Sequence, residues 1–418
     1  MDVYKVKKAT LRGKVKISGA KNSILKLLAA SLLTNDKIII TNFPKNLLDI
    51  IIKVKMLETL GKKIQIFNET IIIEEDKDLK TVLTWEERSV RTTLLILGAL
   101  LARKGEGKVP LPGGCKIGER NFDLHIDIFQ KMGANVWEEN GLLCAKVTGR
   151  LKGADIYLPI RSTGATENAI ICGTLADGTT RVWNPHIRPE ILDLIEFLNA
   201  MGAEIKVYGQ EHIEIVGKEK LYGTKHRVIP DNMEALTWLI AAAITQGELE
   251  IIDFPYKHLE IPLIHLRESG CKYYINEQDN SLIVKNCTPF PIEISTGPYP
   301  GINSDMQPIL AVYAACAKGQ SKIIDLRFPD RYGYVDELQK MGLDATVKQN
   351  ILTINGGKQL YGTTVKAIDL RAGAALLLAG MVAEGETIIE DFWMIERGYD
   401  DIIKKLEQII KLRPLQNC

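Results

Sequence analysis

The chain has 418 residues, 46% hydrophobic and 25% charged, which suits a globular protein too long for one ordinary core, so two domains are expected. Its 53 basic and 52 acidic residues leave a formal charge of +1, which argues against nucleic acid or a membrane surface as the main partner. Seven cysteines (115, 144, 172, 271, 287, 316 and 418) are scattered without a CxxC pair, so a reducing compartment is expected, with neither a disulfide framework nor a zinc site.

The chain opens on MDVYKVKKATLRG, which has no signal-peptide apolar stretch, and YKVKKATLRGKVKIS reads as a strand. An apolar helix with its turn, ILKLLAASLLTND, follows, then a β run, KIIITNF, and a second helix ending in LETLG. The same order then returns. Its first helices are TLLILGALLARKGEG, AIICGTLADG, WLIAAAITQG, ILAVYAACAKG and AALLLAGMVAEG, and its later strands include TTRVWN, ELEIIDF, SKIIDL and ETIIEDF. Second helices end in FQKMGA, LNAMGA, RESGC and LQKMG, so glycines recur at 61, 133, 202, 270 and 342. That spacing of about 70 residues suits a small βαβαββ element, with each glycine a helix C-cap. The longest apolar run, near Leu94 to Ala102, is too short to span a bilayer, and a cytoplasmic protein is expected.

Six copies predict two α/β domains of three units each. The break is placed near 229, giving one domain over 21–229 and a second from 1–20 with 230–418. The sixth unit ends in KKLEQIIKLRPLQNC, without a terminal glycine and strand pair. The N-terminal strand is therefore expected to supply a missing strand, which puts both termini in one domain and makes a two-strand hinge. A cleft between domains is a usual place for a ligand.

The stretch LPGGCKIGER, Leu111 to Arg120, sets Cys115 among three glycines and beside Lys116 and Arg120. Flexible backbone and nearby cations favour thiolate, although an unpaired cysteine is equally read as a packing residue. Polar and charged residues also stand at the starts of the first helices. These are Lys21 and Asn22, Arg91, Ser162 to Asn168, Asp231 and Glu234, Asp305, and Arg371. Ser, Thr and Asp there are either N-caps or ligand groups. Lys21, Arg91 and Arg371 oppose the helix dipole, so each is expected to answer an anion, either a structural carboxylate or a ligand. Arg331, in FPDRYGYVDEL, and Arg397, in MIERGYDDI, precede second helices and read singly as surface arginines. Six helix N-termini brought together would suit an anionic ligand.

These residues carry a resemblance. GAKN at 19–22, PGGCxIGxR at 112–120 with FDLHI, GATEN at 164–168, LADGTT at 175–180, IPD at 229–231, SDMQ at 304–307, DLRAG at 369–373 and RGYDDI at 397–402 resemble the enolpyruvyl transferase family almost end to end. The cysteine loop with GAKN and SDMQ is similar to the branch that acts on UDP-N-acetylglucosamine; the shikimate branch lacks that loop. The resemblance implies two inside-out α/β domains, each of three βαβαββ repeats. It also implies transfer of enolpyruvyl from phosphoenolpyruvate to the 3-hydroxyl of the sugar nucleotide, by addition and elimination with release of phosphate. That is the first committed step of peptidoglycan synthesis and a fosfomycin target.

By the same resemblance Cys115 protonates the methylene carbon or forms a covalent adduct, and Asp305 accepts the hydroxyl proton. Lys21, Arg120 and Arg397 hold the phosphate, while Arg331 and Arg371 hold the carboxylate. Lys21 and Arg397 join Cys115 and Asp305 as catalytic groups. Asn22 and Arg91 face the acceptor sugar, and Ser162, Thr163 and Gly164 its diphosphate; Arg161, beside that turn, is read from its charge as a further acceptor-binding residue. No cofactor and no metal is implied, and a monomer or weak dimer is expected. Several residues depart from the family pattern: Leu48, Leu95, Arg161, Arg188, and FPDRY in place of FENRF around Arg331. The departures gather on the acceptor side, which leaves another nucleotide such as UMP, or a catalytically dead nucleotide-binding paralogue, as alternatives.

Overall fold

Alanine and leucine lose little freedom on entering a helix, and the segments rich in them fold accordingly. Six such helices are α1 (Lys21–Ala30), α2 (Thr93–Lys104), α3 (Thr163–Thr174), α4 (Asn232–Ile244), α5 (Gln307–Cys316) and α6 (Leu370–Gly380) in the computed structural model, which describes residues 1–86, 92–111 and 122–412. A helix that is apolar all round has to sit inside, and every residue of α4 is buried. The chain forms two units, Gly19–Ile229 and Met1–Ser18 with Pro230–Cys418.

In the unit Gly19–Ile229, α2 packs on both α1 and α3, and three sheets surround them. The first sheet sets Lys225–Arg227 parallel to Ile38–Thr41, then Thr70–Glu75 and Lys62–Phe67. Residues along Ile38–Thr41 and Thr70–Glu75 alternate in burial, as a sheet with one covered face requires. The second sheet is Glu106–Pro110, Leu142–Lys146 and Asn135–Glu139. The third is Asp155–Tyr157, Thr179–Trp183, His212–Val216 and Glu204–Tyr208. Ordinary α/β layering puts a sheet between helices; here helices are innermost and sheets outermost. The helix–helix approach is close: a Cβ on Gly98 of α2 would lie 1.9 Å from Asn168 Oδ1 of α3.

The other unit repeats the plan, with α5 packed on α4 and α6. Its sheets are Glu293–Ser295 with Gly319–Ile324, Ile351–Gly356 and Ala345–Lys348; a five-stranded sheet around Glu248–Ile252; and a three-stranded sheet around Glu386–Glu390. The N-terminus joins two of them. Val3–Lys7 lies antiparallel to Glu386–Glu390, and Ala9–Lys16 lies parallel to Glu248–Ile252. At the C-terminal end, Ile402–Ile409 runs straight into a three-residue strand, Ile410–Leu412, paired with Ala9–Leu11. Gly61, Gly133, Gly202, Gly270 and Gly342 all follow helix ends with φ between 88° and 110°, a conformation that only glycine takes cheaply. Among the described residues no helix is long and apolar enough to cross a membrane.

Candidate active site

In the unit containing α4, α5 and α6, the helix starts bring Asp305, Arg331 and Arg371 together. Asp305 lies in a single turn, Ser304–Met306, immediately before α5. It is not the cap of that turn, because Asn303 Oδ1 accepts the Asp305 N–H at 3.0 Å. The Asp305 carboxylate instead accepts from Arg331 Nη1 at 2.7 Å and lies 3.6 Å from Arg371 Nε. Asp369 caps α6 by accepting from the N–H groups of Arg371 and Ala372, and Asp231 caps α4 through Met233 and Glu234.

Both arginines are almost wholly buried, their side chains 5% and 1% exposed. Burial opposes their charge, but Asp305 and Asp369 more than offset it for Arg331, and Tyr399, Asp305 and Asp231 do so for Arg371. The Arg371 guanidinium also lies over the Tyr399 ring, 5.3 Å from its centre. Nε and Nη2 of Arg331, and Nε and Nη1 of Arg371, are buried without a hydrogen-bond partner among the described residues. Buried donors are ordinarily satisfied, so these atoms mark a place built for an acceptor. Arg397 is buried in the same unit, with Nη1 3.6 Å from Met394 Sδ.

In the unit Gly19–Ile229, Lys21 opens α1 and its Nζ lies 2.8 Å from Asp49 Oδ2, with both side chains buried. Asp49 is thus one anionic partner of Lys21. Asn22 follows in α1, its carbonyl accepting from Lys26 Nζ. Lys26 also pairs with Glu167 of α3 at 3.0 Å. Burial pushes Glu167 up, against the opposing pull of Lys26. Lys53 is wholly buried and donates to the Thr92 carbonyl at 2.8 Å; burial, opposed by Glu167, takes its pKa down to about 7. Arg188 forks onto Glu190 at 2.7 and 2.8 Å. Burial would raise Glu190, but Arg188 and Lys26 bring it down to about 2. Ser23, Asp193 and His226 also meet, with the carboxylate between hydroxyl and imidazole. A nucleophilic triad needs the imidazole in the middle, so this trio ties α1 to the sheet and activates nothing.

At the start of α3, Ser162 Oγ caps Ala165 N–H at 3.4 Å and Thr163 Oγ1 lies 2.8 Å from His186 Nδ1. Gly164 lies against His125, whose Nε2 would be 3.1 Å from an added Cβ. Arg161 Nε donates to Asn184 Oδ1 at 3.3 Å. Arg91, Cys115 and Arg120 lie outside the described residues.

The chain matches the EPSP synthase (3-phosphoshikimate 1-carboxyvinyltransferase) family over residues 6–406. It is 40% identical over 413 residues to a UDP-N-acetylglucosamine 1-carboxyvinyltransferase of Finegoldia magna, covering 98% of this chain and 97% of that one. The chain belongs to the enolpyruvyl (1-carboxyvinyl) transferase family. A second relative, UDP-N-acetylglucosamine 1-carboxyvinyltransferase 1 of Carboxydothermus hydrogenoformans, is 40% identical over 96% of this chain and 94% of its own. Among solved structures, the enolpyruvyl transferase NikO from Streptomyces tendae superposes with a TM-score of 0.87 at 23% identity, covering 98% of each chain. EPSP synthase from Acinetobacter baumannii gives 0.76 at 19% identity, over 98% of this chain and 100% of that one. At those identities the two structures establish the fold, which is the enolpyruvyl transferase fold of two inside-out α/β domains.

The departures from the family pattern sort by burial. Leu95 is a core residue of α2 and Leu48 packs partly on the same core, whereas Arg161 lies at the polar start of α3. Sequence reading missed Asp49, Lys53, Asp369 and Tyr399 as neighbours of the charged groups. A carboxylate in the first turn of a helix was the one available signal for Asp49.

Proposed function

We propose that this enzyme transfers the enolpyruvyl group of phosphoenolpyruvate to the 3-hydroxyl of UDP-N-acetylglucosamine and releases phosphate. One observation supports it above the others: four guanidinium nitrogens of two buried arginines, without a hydrogen-bond partner among the described residues and set beside the Asp305 carboxylate. A planar carboxylate is the natural partner of such forks, and phosphoenolpyruvate supplies one. The 40% identity to enzymes named for UDP-N-acetylglucosamine supports the acceptor.

Arg331 and Arg371 hold the carboxylate and orient the enol double bond. Asp305 takes the proton of the acceptor hydroxyl as its oxygen bonds to C2, while Cys115 delivers a proton to C3. The resulting tetrahedral intermediate carries the phosphate on C2. Loss of a C3 proton and cleavage of the bond from C2 to the phosphate oxygen then restore the double bond and free phosphate. Lys21, Arg120 and Arg397 balance the charge of the departing phosphate. Asn22 and Arg91 position the sugar, and Arg161, Ser162, Thr163 and Gly164, at the positive end of α3, hold its diphosphate. A cytoplasmic location suits that reaction.

The test is phosphate release from phosphoenolpyruvate with UDP-N-acetylglucosamine, UMP and shikimate 3-phosphate offered separately. Release with the first alone is expected; release only with UMP or shikimate 3-phosphate contradicts the acceptor, and none with any of them contradicts the reaction.

A further inference from the structure

We propose that Asp325 is a positioning residue for the Asp305–Arg331 pair, acting through the hydroxyl of Ser304; this role rests on the reaction proposed above. Asp325 is fully buried at the end of the strand Gly319–Ile324. Its Oδ1 accepts from Thr296 Oγ1 and from the N–H groups of Arg327 and Phe328, each at 2.9 Å. Its Oδ2 accepts from Ser304 Oγ at 2.5 Å and from Gln307 Nε2 at 3.2 Å.

The consequence lies in the direction of the protons. A carboxylate only accepts and a serine hydroxyl has one proton, so Ser304 is committed to donating to Asp325. Its lone pairs then face Arg331 Nη1, which donates to Ser304 Oγ at 3.2 Å and to Asp305 Oδ1 at 2.7 Å. Nη1 carries two hydrogens, and both are now placed. The plane of the guanidinium is thereby set, and its Nε and Nη2 are left as the donors for a ligand.

The same carboxylate joins the two segments that hold the pair. Gln307, at the start of α5, bonds both Asp325 Oδ2 and, at 3.5 Å, the Arg331 carbonyl. The N–H groups of Arg327 and Phe328 anchor the chain that leads to Arg331. An asparagine at 325 turns an amide donor toward Ser304 or Gln307, which reverses the hydroxyl and withdraws its lone pairs from Arg331.

The experiment is phosphate release measured at varied phosphoenolpyruvate concentration for wild type, S304A, D325N and S269A. S304A keeps the Asp325 carboxylate and its backbone bonds and deletes only the relay. S269A removes a hydroxyl buried elsewhere in the same unit, bonded to Leu266 and Tyr313, and controls for general destabilisation. S304A is expected to lose about 10- to 100-fold in kcat/KM for phosphoenolpyruvate, the size of one hydrogen bond to a charged group. The loss falls on KM for phosphoenolpyruvate more than on kcat, because a loosened Arg331 no longer presents its remaining donors to the carboxylate. D325N follows in the same direction, while S269A melts lower but keeps wild-type kcat and KM. If S304A matches wild type in both respects, the positioning role is wrong even though the reaction stands, and this holds whether or not D325N folds. If wild type releases no phosphate with any acceptor, the reaction itself is overturned and the role with it.

Discussion

Arg331 donates to Asp305 at 2.7 Å, yet two of its three guanidinium nitrogens are buried without a partner among the described residues. Arg371, 3.6 Å from the other oxygen of the same carboxylate, repeats the pattern. Each buried unsatisfied donor costs about 1–3 kcal/mol, and a carboxylate set against these nitrogens would offset that cost.

Arg371→Met therefore separates stability from activity. Loss of the forked donors is expected to reduce kcat/KM for phosphoenolpyruvate by about 100-fold or more, as for removal of a charge-stabilising donor. The melting temperature stays near wild type or rises, because a buried, under-satisfied cation is replaced by an apolar chain. Thermal melts and steady-state kinetics on one preparation check both; a variant that is destabilised yet retains its kcat/KM contradicts the assignment.

Lys53 gives a pH signature. Its pKa falls from 10.5 to about 7 in the folded chain, so between those values the unfolded chain holds a proton that the folded chain does not. Wild-type stability from this group accordingly rises with pH above about 7, and below it the buried charge is a full liability. The stability difference between Lys53→Met and wild type should favour the variant more at pH 6.5 than at pH 9.5 (approximate test points either side of neutrality). Urea midpoints at the two pH values measure it, and a difference independent of pH contradicts the burial of the charge.

Arg188 and Glu190 act in the opposite sense. Glu190 is held at about 2 against an ordinary 4.5, so its pairing stabilises above 4.5 and is lost as pH falls toward 2. Arg188→Met strands a buried carboxylate beside Glu167, at a cost of about 3–5 kcal/mol at neutral pH. That deficit shrinks as the solution is acidified, which denaturant titrations at neutral and acid pH follow. An equal deficit at both would contradict the pairing.

Gly98→Ala tests the close contact of α2 with α3. The added Cβ meets Asn168 Oδ1 at 1.9 Å, and Asn168 is already engaged with the Leu94 carbonyl and His125 Nδ1. Overpacking of this kind costs about 1–3 kcal/mol or more, despite alanine's better helix propensity. A lower melting temperature is expected; an unchanged one would mean that α2 and α3 part easily.

The repeat plan was legible because it is local. Each first helix announces itself by alanine and leucine on every face, and each second helix by its terminal glycine. The site was legible only in part. Asp305 stands at a helix start, where a cap is the ordinary reading, and Asn303 two residues earlier takes that task instead. Nothing in the spacing of Asp305, Arg331 and Arg371 along the chain shows that two arginines share one carboxylate, since that meeting joins the start of α5, the start of α6 and the turn before the helix Gly333–Lys340. Lys21 had two open readings, and the structure shows one carboxylate partner for it, Asp49, on a separate helix. Arg188 stood out as a departure from the family pattern, while its partner Glu190 lay two residues away.

The central claim is most directly tested by the mass of the product formed when the enzyme is incubated with phosphoenolpyruvate and UDP-N-acetylglucosamine. The account predicts a sugar nucleotide heavier by one carboxyvinyl group, formed in step with free phosphate and lost in Arg371→Met. Unmodified UDP-N-acetylglucosamine after complete incubation, with or without phosphate release, would contradict it.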